Sequence, residues 1–307
     1  MYDIIGDIHG QYDKLESLLT KLDYTPQGRG WLPPDGRKAV FVGDLIDRGP
    51  GQLQILETVR AMVDSGNALC VMGNHELNAI AFATPDQNNP GAFVRKHSEK
   101  NRQQHAEFLK QVGEGSLLHR EWVEWFRSLP LYLDLGGIRV VHACWNDGHF
   151  ETLASQGLTN GYLDDERIHW AFDKQGGHPA YTAIDHIAKG PEILLPDGLT
   201  FTDHAGHVRR QARIRWWLAG SRYLHEIAIT EGHEAPDIIG LPIPNWVELP
   251  PVEGPPVFIG HYWLTGQPAI LNSNVACLDY SAAAGGPLVG YRWEGEASLT
   301  NAGFVAT

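Results

Sequence analysis

The sequence predicts a layered α/β fold, and three observations carry that prediction. Five short apolar segments, 2–5, 39–42, 68–72, 138–141 and 256–259, each run directly into a polar motif. The stretches between the first three carry apolar residues at helical spacing. Chemistry-bearing residues fall just past the carboxyl ends of the strand-like segments, as expected where sheet edges build a site.

Each element has its own warrant. Tyr2–Ile5 is a short continuous apolar run, the pattern of a strand buried on both faces, and it opens into GDIHG at 6–10. Tyr12, Leu15, Leu18, Leu19 and Leu22 then recur at helical spacing. Ala39–Val42 leads into GDLIDRG at 43–49, followed by Leu53, Leu56, Val59, Met62 and Val63 on a second helix. Ala68–Met72 ends at GNHE, 73–76. The segment from about 85 to 110, with Arg95, Lys96, Lys100 and Arg102, reads as a solvated loop and helix face. Ile138–Val141 ends at His142, and Pro256–Ile259 ends at Gly260-His261. Ala269–Asp279 and Pro287–Trp293 read as a hairpin around Ala284-Gly285-Gly286.

Between these lies a less regular region, about 150–255, that contains Trp170, Trp216, Trp217 and Trp246 and a Pro-rich connection from Pro236 to Pro256. Because His261 lies beyond it, the whole chain 1–307 is expected to be one domain, with 150–255 as an insertion that shapes the substrate pocket.

Bulk properties narrow the function. Hydrophobic residues make up 43% and charged residues 20% of 307, ordinary for a globular enzyme. No apolar run approaches the roughly 20 residues of a membrane span, and Met1-Tyr2-Asp3 does not resemble a secretory leader. Cys70, Cys144 and Cys277 are too few and too odd in number for a disulfide framework, so a cytoplasmic address is expected, with no membrane partner. A formal charge of −13 argues against long nucleic acid, whose binding rests on phosphate neutralisation by Lys and Arg. It does not exclude a small phosphorylated substrate, because bound cations can dominate a local field.

The three N-terminal motifs supply Asp7, His9, Asp44, Asn74 and His75, a mixed oxygen and nitrogen donor set suited to two divalent first-row metals. One such motif alone is equally a helix cap and a surface imidazole. Three in order, with His142 and His261 at two further strand ends, make chance convergence a poor explanation. Arg48 adds a planar guanidinium able to grip two phosphate oxygens at once, which Lys cannot do.

The order GDIHG, GDLIDRGP, GNHE, a strand-end His and a later GH resembles the phosphoprotein phosphatase branch of the calcineurin-like metallophosphoesterases. The resemblance returns at WFRSLPLYLDLGGIRVVHA (125–143) and FIGHYW (258–263), while LDYSAAAGGPLVGYRW (278–293) is similar to the ending of bacterial diadenosine tetraphosphate hydrolases. It implies a four-layer α-β-β-α sandwich with a dimetal site at the carboxyl ends of the strands. It further implies Asp7 and His9 on one ion, Asp44 bridging, and Asn74, His142 and His261 on the second, with an attacking hydroxide between the ions and no phosphoenzyme. Manganese is the first expectation, with iron or zinc as alternatives. His75 would protonate the leaving oxygen and Asp47 would orient it. The arginine-rich run 207–215 is expected to supply a second phosphate contact through Arg213 or Arg215. One departure stands out: the family's glycine two residues after the strand-end His is Cys144 here, within His142-Ala143-Cys144-Trp145.

The reaction expected is two-metal phosphohydrolysis. Its substrate is expected to be a phosphoserine or phosphothreonine monoester, since Asp47-Arg48 is complete. The alternative is a dinucleoside polyphosphate such as diadenosine tetraphosphate. A non-catalytic phosphate-binding module would lack a ligand or the acid, and none is missing.

Overall fold

The motif strands are apolar throughout because both their faces are covered. In the computed structural model, which describes residues 1–202, 206–230 and 236–307, these strands belong to the larger of two units, Met1–Lys189 with Pro255–Thr307. Two large sheets build it, beside a two-stranded ribbon of Thr25–Gln27 and Gly30–Leu32. One runs in the order Phe304–Ala306, Val289–Trp293, Tyr2–Ile5, Lys38–Phe41, Ala68–Cys70, with the last three strands parallel. The other runs Val275–Cys277, Val257–Ile259, Arg139–Val141, Tyr132–Asp134, with the first three parallel. Ile4, Val40, Val42, Val140, Phe258, Ala276 and Tyr291, drawn from both sheets and the ends of their strands, share one buried cluster between the layers. Helices cover the outside, which gives the four-layer α-β-β-α sandwich.

The helices follow their stripes. Tyr12–Lys21 buries Leu15, Leu18 and Leu19, and Gln52–Asp64 buries Ile55, Leu56, Val59 and Met62. Burying each such aliphatic side chain stabilises the fold by roughly 1.5–3 kcal/mol. Asn74–Ala83 starts directly at the third motif, with Gly73 as its N-cap. Among the described residues no helix is long and apolar enough to cross a membrane.

Two expectations are corrected. Val275–Cys277 and Val289–Trp293 do not form a hairpin: the first pairs parallel with Val257–Ile259, the second antiparallel with Tyr2–Ile5, in different sheets. The intervening chain leaves one layer at Asp279, whose carboxylate accepts the Ser281 and Trp263 amides, and turns through Ser281 at φ +58°. A turn signal marks where the chain bends; face burial selects the pairing. Nor is 85–110 merely a solvated face. It forms the helices Glu99–Gln104 and Ala106–Val112, and His105 between them is fully buried.

The smaller unit, Gly190–Gly254, has its own three-stranded sheet of Ala228–Ile229, Gln211–Ile214 and Glu192–Leu194. Its core includes Ile193, Ala212, Ile214, Leu224 and Ile227. Residues 150–189, the first part of the expected insertion, pack within the larger unit, where the helices Asp147–Ser155 and Pro179–Lys189 lie against each other.

The first strand is anchored by a buried ion cluster. The Asp3 carboxylate is fully enclosed and accepts from Arg37 Nη2 at 2.7 Å and Nε at 2.9 Å, Arg292 Nε at 3.2 Å and the Tyr24 hydroxyl at 3.1 Å. Asp3→Ala removes the acceptor that Arg37 and Arg292 share, while Glu294 and Asp23 still pair them, and is expected to cost about 1–3 kcal/mol, read as a lowered urea midpoint with unchanged m.

Candidate metal centre

Five parallel strands, three from one sheet and two from the other, deliver the motif residues to one edge. Gly260 N–H donates to the His142 carbonyl within one sheet, and His261 N–H donates to Asp7 Oδ2 at 3.0 Å, tying that sheet to the other. The backbone here is unusual. His9, Asp44, Asp47, Arg48, His261 and Trp263, none of them glycine, all have φ between +45° and +71°. Each such residue costs on the order of 1–3 kcal/mol and persists only where surrounding bonds enforce it. Glu76 does much of that enforcing. It is fully buried and its carboxylate accepts the amides of Asp44, Leu45 and Gly73 at 2.9–3.0 Å, clamping the second motif onto the third. Gln52 adds a second clamp, accepting Asp47 N–H at 2.8 Å and donating to the Gly49 carbonyl at 2.7 Å.

The donor atoms converge in two groups that share Asp44. His9, Asp44 and His75 form one, and Asp44, His142 and His261 the other. His142 Nε2 lies 3.3 Å from Asp44 Oδ1 and 3.1 Å from Asn74 Oδ1, and His261 Nδ1 is 2.7 Å from the same Asn74 oxygen. Ligand atoms around an ion with bonds near 2.1 Å stand roughly 3 Å apart, so this spacing fits. The ring tautomers fit as well. His9 and His142 each donate Nδ1–H to a backbone carbonyl, of Ile46 at 2.8 Å and Val42 at 2.7 Å, which leaves both Nε2 lone pairs facing inward. His9 Nε2 and Asp7 Oδ1 are buried with no hydrogen-bond partner, a costly state unless a cation accepts both.

Electrostatics say the same. Burial and the neighbouring Asp279 push Asp7 well above the usual carboxylate range. Burial raises Asp44 too, but the charges of His142 and His75 more than offset it and hold Asp44 well below that range. It also lies at a helix start, accepting His75 N–H at 2.9 Å, where the dipole favours an anion. Burial drives His9 down to about 3, so it is a neutral ligand. Burial opposes the proton on His142 too, yet Asp44 and Asp7 pull it up to about 10. The cluster demands positive charge at that position.

Beside the centre sits a second constellation. His75 Nδ1 and Asp47 Oδ2 are 2.5 Å apart, and Arg48 Nη2 lies 3.4 Å from His75 Nε2. A guanidinium that close makes His75 Nε2 a poor metal ligand but a good neighbour for a phosphate oxygen. Burial lowers the affinity of His75 for its proton; the charge of Asp44 and the bond to Asp47 overcome that and raise it. Arg48 in turn stacks on the Trp263 ring, 3.8 Å from its centroid.

The structure therefore gathers Asp7, His9, Asp44, Asp47, Arg48, Asn74, His75, His142 and His261 at one edge. Arg213 and Arg215 lie in the smaller unit. The strand Gln211–Ile214 turns Ala212 and Ile214 into that unit's core and leaves Arg213 half-buried on the other face, and Arg215 donates to the Glu226 and Ala228 carbonyls. Cys144 is enclosed, and burial pushes its thiol far above the usual range, which leaves it a small wall residue and not a thiolate. The sequence reading missed Glu76, Gln52, His105, Trp263 and Asp279. Glu76 carried a local signal as the acidic residue of the GNHE helix start, and Trp263 and Asp279 lie within the FIGHYW and LDYSAAAGGPLVGYRW stretches, while Gln52 and His105 carried none.

A model of the calcineurin-like phosphoesterase family matches residues 2–240. The chain belongs to that family of metal-dependent phosphoester and phosphoanhydride hydrolases, with its dinuclear divalent-metal site. It is 36% identical over 206 residues to bis(5'-nucleosyl)-tetraphosphatase PrpE [asymmetrical] of Geobacillus sp. (strain WCH70), a match covering 62% of this chain and 81% of that protein. To the PrpE of Anoxybacillus flavithermus it is 48% identical over 75 residues, 24% of this chain, so the match spans only 31% of that relative's length. Among solved structures, a protein serine/threonine phosphatase from Saccharomyces cerevisiae aligns with a TM-score of 0.49 at 14% identity, covering 100% of this chain and 78% of that one.

The centre leaves no room behind Asp7. A Cβ on Gly260 would meet Asp7 Oδ1 at 1.9 Å. Gly260→Ala is expected to displace that carboxylate and lower bound metal to about one ion per chain, as counted by elemental analysis, with a shift in melting temperature of only a few degrees.

Proposed function

We propose that this chain hydrolyses the phosphoanhydride of a dinucleoside polyphosphate, as a bis(5'-nucleosyl)-tetraphosphatase. The observation that carries the reading is Trp263. Its indole is 42% exposed, stands beside the phosphate-facing side chains, and presents one face to Arg48. A guanidinium for phosphate next to an open aromatic surface suits a nucleotide, whose base can stack while its phosphates are gripped. The names of the relatives support the same substrate class. A phosphoserine or phosphothreonine side chain, the group first expected, brings no ring of its own to that surface.

In this reading Asp7 and His9 hold one ion, Asp44 bridges, and Asn74, His142 and His261 hold the other. Two divalent ions, when bound, neutralise phosphate oxygens and acidify the attacking water. The chain's own groups do the rest. Arg48 fixes the reacting phosphate and spreads its growing charge. His75 presents Nε2 to the leaving oxygen, while Asp47 holds the opposite ring nitrogen and so fixes the ring plane. Asp279 accepts Trp263 N–H at 2.8 Å and sets the indole over the clamp.

The test is a comparison of diadenosine tetraphosphate with a phosphoserine peptide, manganese supplied. The dinucleotide is expected to win in kcat/KM by about a hundredfold, roughly 2.7 kcal/mol in the barrier; a faster phosphopeptide overturns the assignment. Trp263→Ala is expected to raise KM for the dinucleotide about tenfold, the scale of one lost base stack, and to change 4-nitrophenyl phosphate hydrolysis less than threefold.

A further inference from the structure

Asp47 receives two imidazoles. His75 occupies Oδ2, and on the other side His105 Nδ1 lies 2.7 Å from Oδ1. His105 comes from the junction of two helices 58 residues along the chain, within the segment whose composition reads as solvated surface. It has no exposed surface. Its ring is wedged between Phe82 and Phe108, at centroid distances of 5.5 and 4.9 Å, and its Nε2 has no hydrogen-bond partner. Oδ1 of the carboxylate can only accept, so the ring proton is on Nδ1.

That arrangement makes little sense as packing. A leucine or phenylalanine would fill the wedge without enclosing an unmet nitrogen, and buried polar atoms without partners are disfavoured. The single gain His105 offers is its bond to Asp47. With Gln52 on the Asp47 amide, His105 on Oδ1 and His75 on Oδ2, the carboxylate plane has one orientation. Asp47 itself sits at φ +70°, so its backbone does not hold the side chain in a relaxed well.

We infer that His105 is a positioning residue for proton delivery: it locks the Asp47 carboxylate so that His75 Nε2 points at the leaving oxygen. The inference rests on the reading of His75 as the proton donor. It touches none of the prospective metal ligands, so its loss leaves the ions in place. Its effect falls on substrates that need a proton. Aryl esters with acidic phenols leave unaided, whereas phenyl and alkyl esters require protonation as the P–O bond breaks.

The experiment uses the full chain with manganese and measures 4-nitrophenyl phosphate beside phenyl phosphate. For His105→Ala, turnover of phenyl phosphate is expected to fall about tenfold, a fraction of the 10²–10⁴ that a whole general acid contributes, while 4-nitrophenyl phosphate changes less than threefold. KM and metal content stay within twofold of the parent. His105→Asn, whose amide nitrogen stands close to the position of Nδ1, is expected to recover most of the loss and serves as the folded variant if the alanine protein does not accumulate. His75→Asn in parallel separates the two readings. If His75→Asn discriminates between the esters and His105→Ala does not, the role of His105 is overturned alone. If neither discriminates, the acid assignment falls with it. The pair should be non-additive: in His75→Asn, removal of His105 is expected to add less than a twofold further loss, and a full tenfold addition overturns the inference.

Discussion

The site depends on holding buried negative charge. Asp7, Asp44, Asp47 and Asp279 are each almost fully enclosed, and Glu76 lies directly behind them with no exposed surface. In a medium of low dielectric such groups repel strongly and are expensive to ionise. The strain is visible in Glu76, which burial and the neighbouring Asp44 push up to about 7. It is visible too in the protonation that Asp44 and Asp7 impose on His142. Divalent cations resolve the imbalance, so the same charge that would burden an apo-protein becomes binding energy for the centre.

Keeping that charge organised requires a backbone most sequences avoid. Six non-glycine residues of the site adopt positive φ, and they are enforced by a mesh in which backbone carbonyls hold some loop amides and buried side chains accept those of Asp44, Leu45, Asp47, His75, His261 and Trp263. Glu76 couples the second motif to the third, and Asp7 couples the first to the last. The five motifs are thus one mechanical unit. Moving any carboxylate shifts amides that hold another motif, and this is why the glycines at 73 and 260, pressed against Asp44 and Asp7, leave no space for a methyl group.

Outside the ligands, chemistry is arranged by aromatic and imidazole contacts between distant segments. Arg48 rests on Trp263, which is positioned by Asp279; His75 rests on Asp47, which is positioned by His105 and Gln52. In the proposed function the phosphate grip and the proton route each have a support outside the prospective metal ligands.

The sequence by itself determined which segments become the motif strands and which donor types follow them. These are local facts: a donor one or two residues beyond an apolar run is placed by covalent connection to the strand end, so Asp7, Asp44, Asn74, His142 and His261 were legible. Arg213 and Arg215 were named from charge and alternation alone; both lie in the smaller unit, Arg213 on the strand face opposite Ala212 and Ile214, and Arg215 just past that strand on the Glu226 and Ala228 carbonyls. What only the tertiary structure decided was the company these donors keep. His105 sits in a segment whose composition reads as surface, Asp279 lies at a crossing between sheets that looked like a hairpin, and Trp263 closes the FIGHYW stretch with nothing local to give it a role. Their roles arise from packing between segments far apart in the chain, where hydrogen-bond geometry and burial, not local pattern, select the partner.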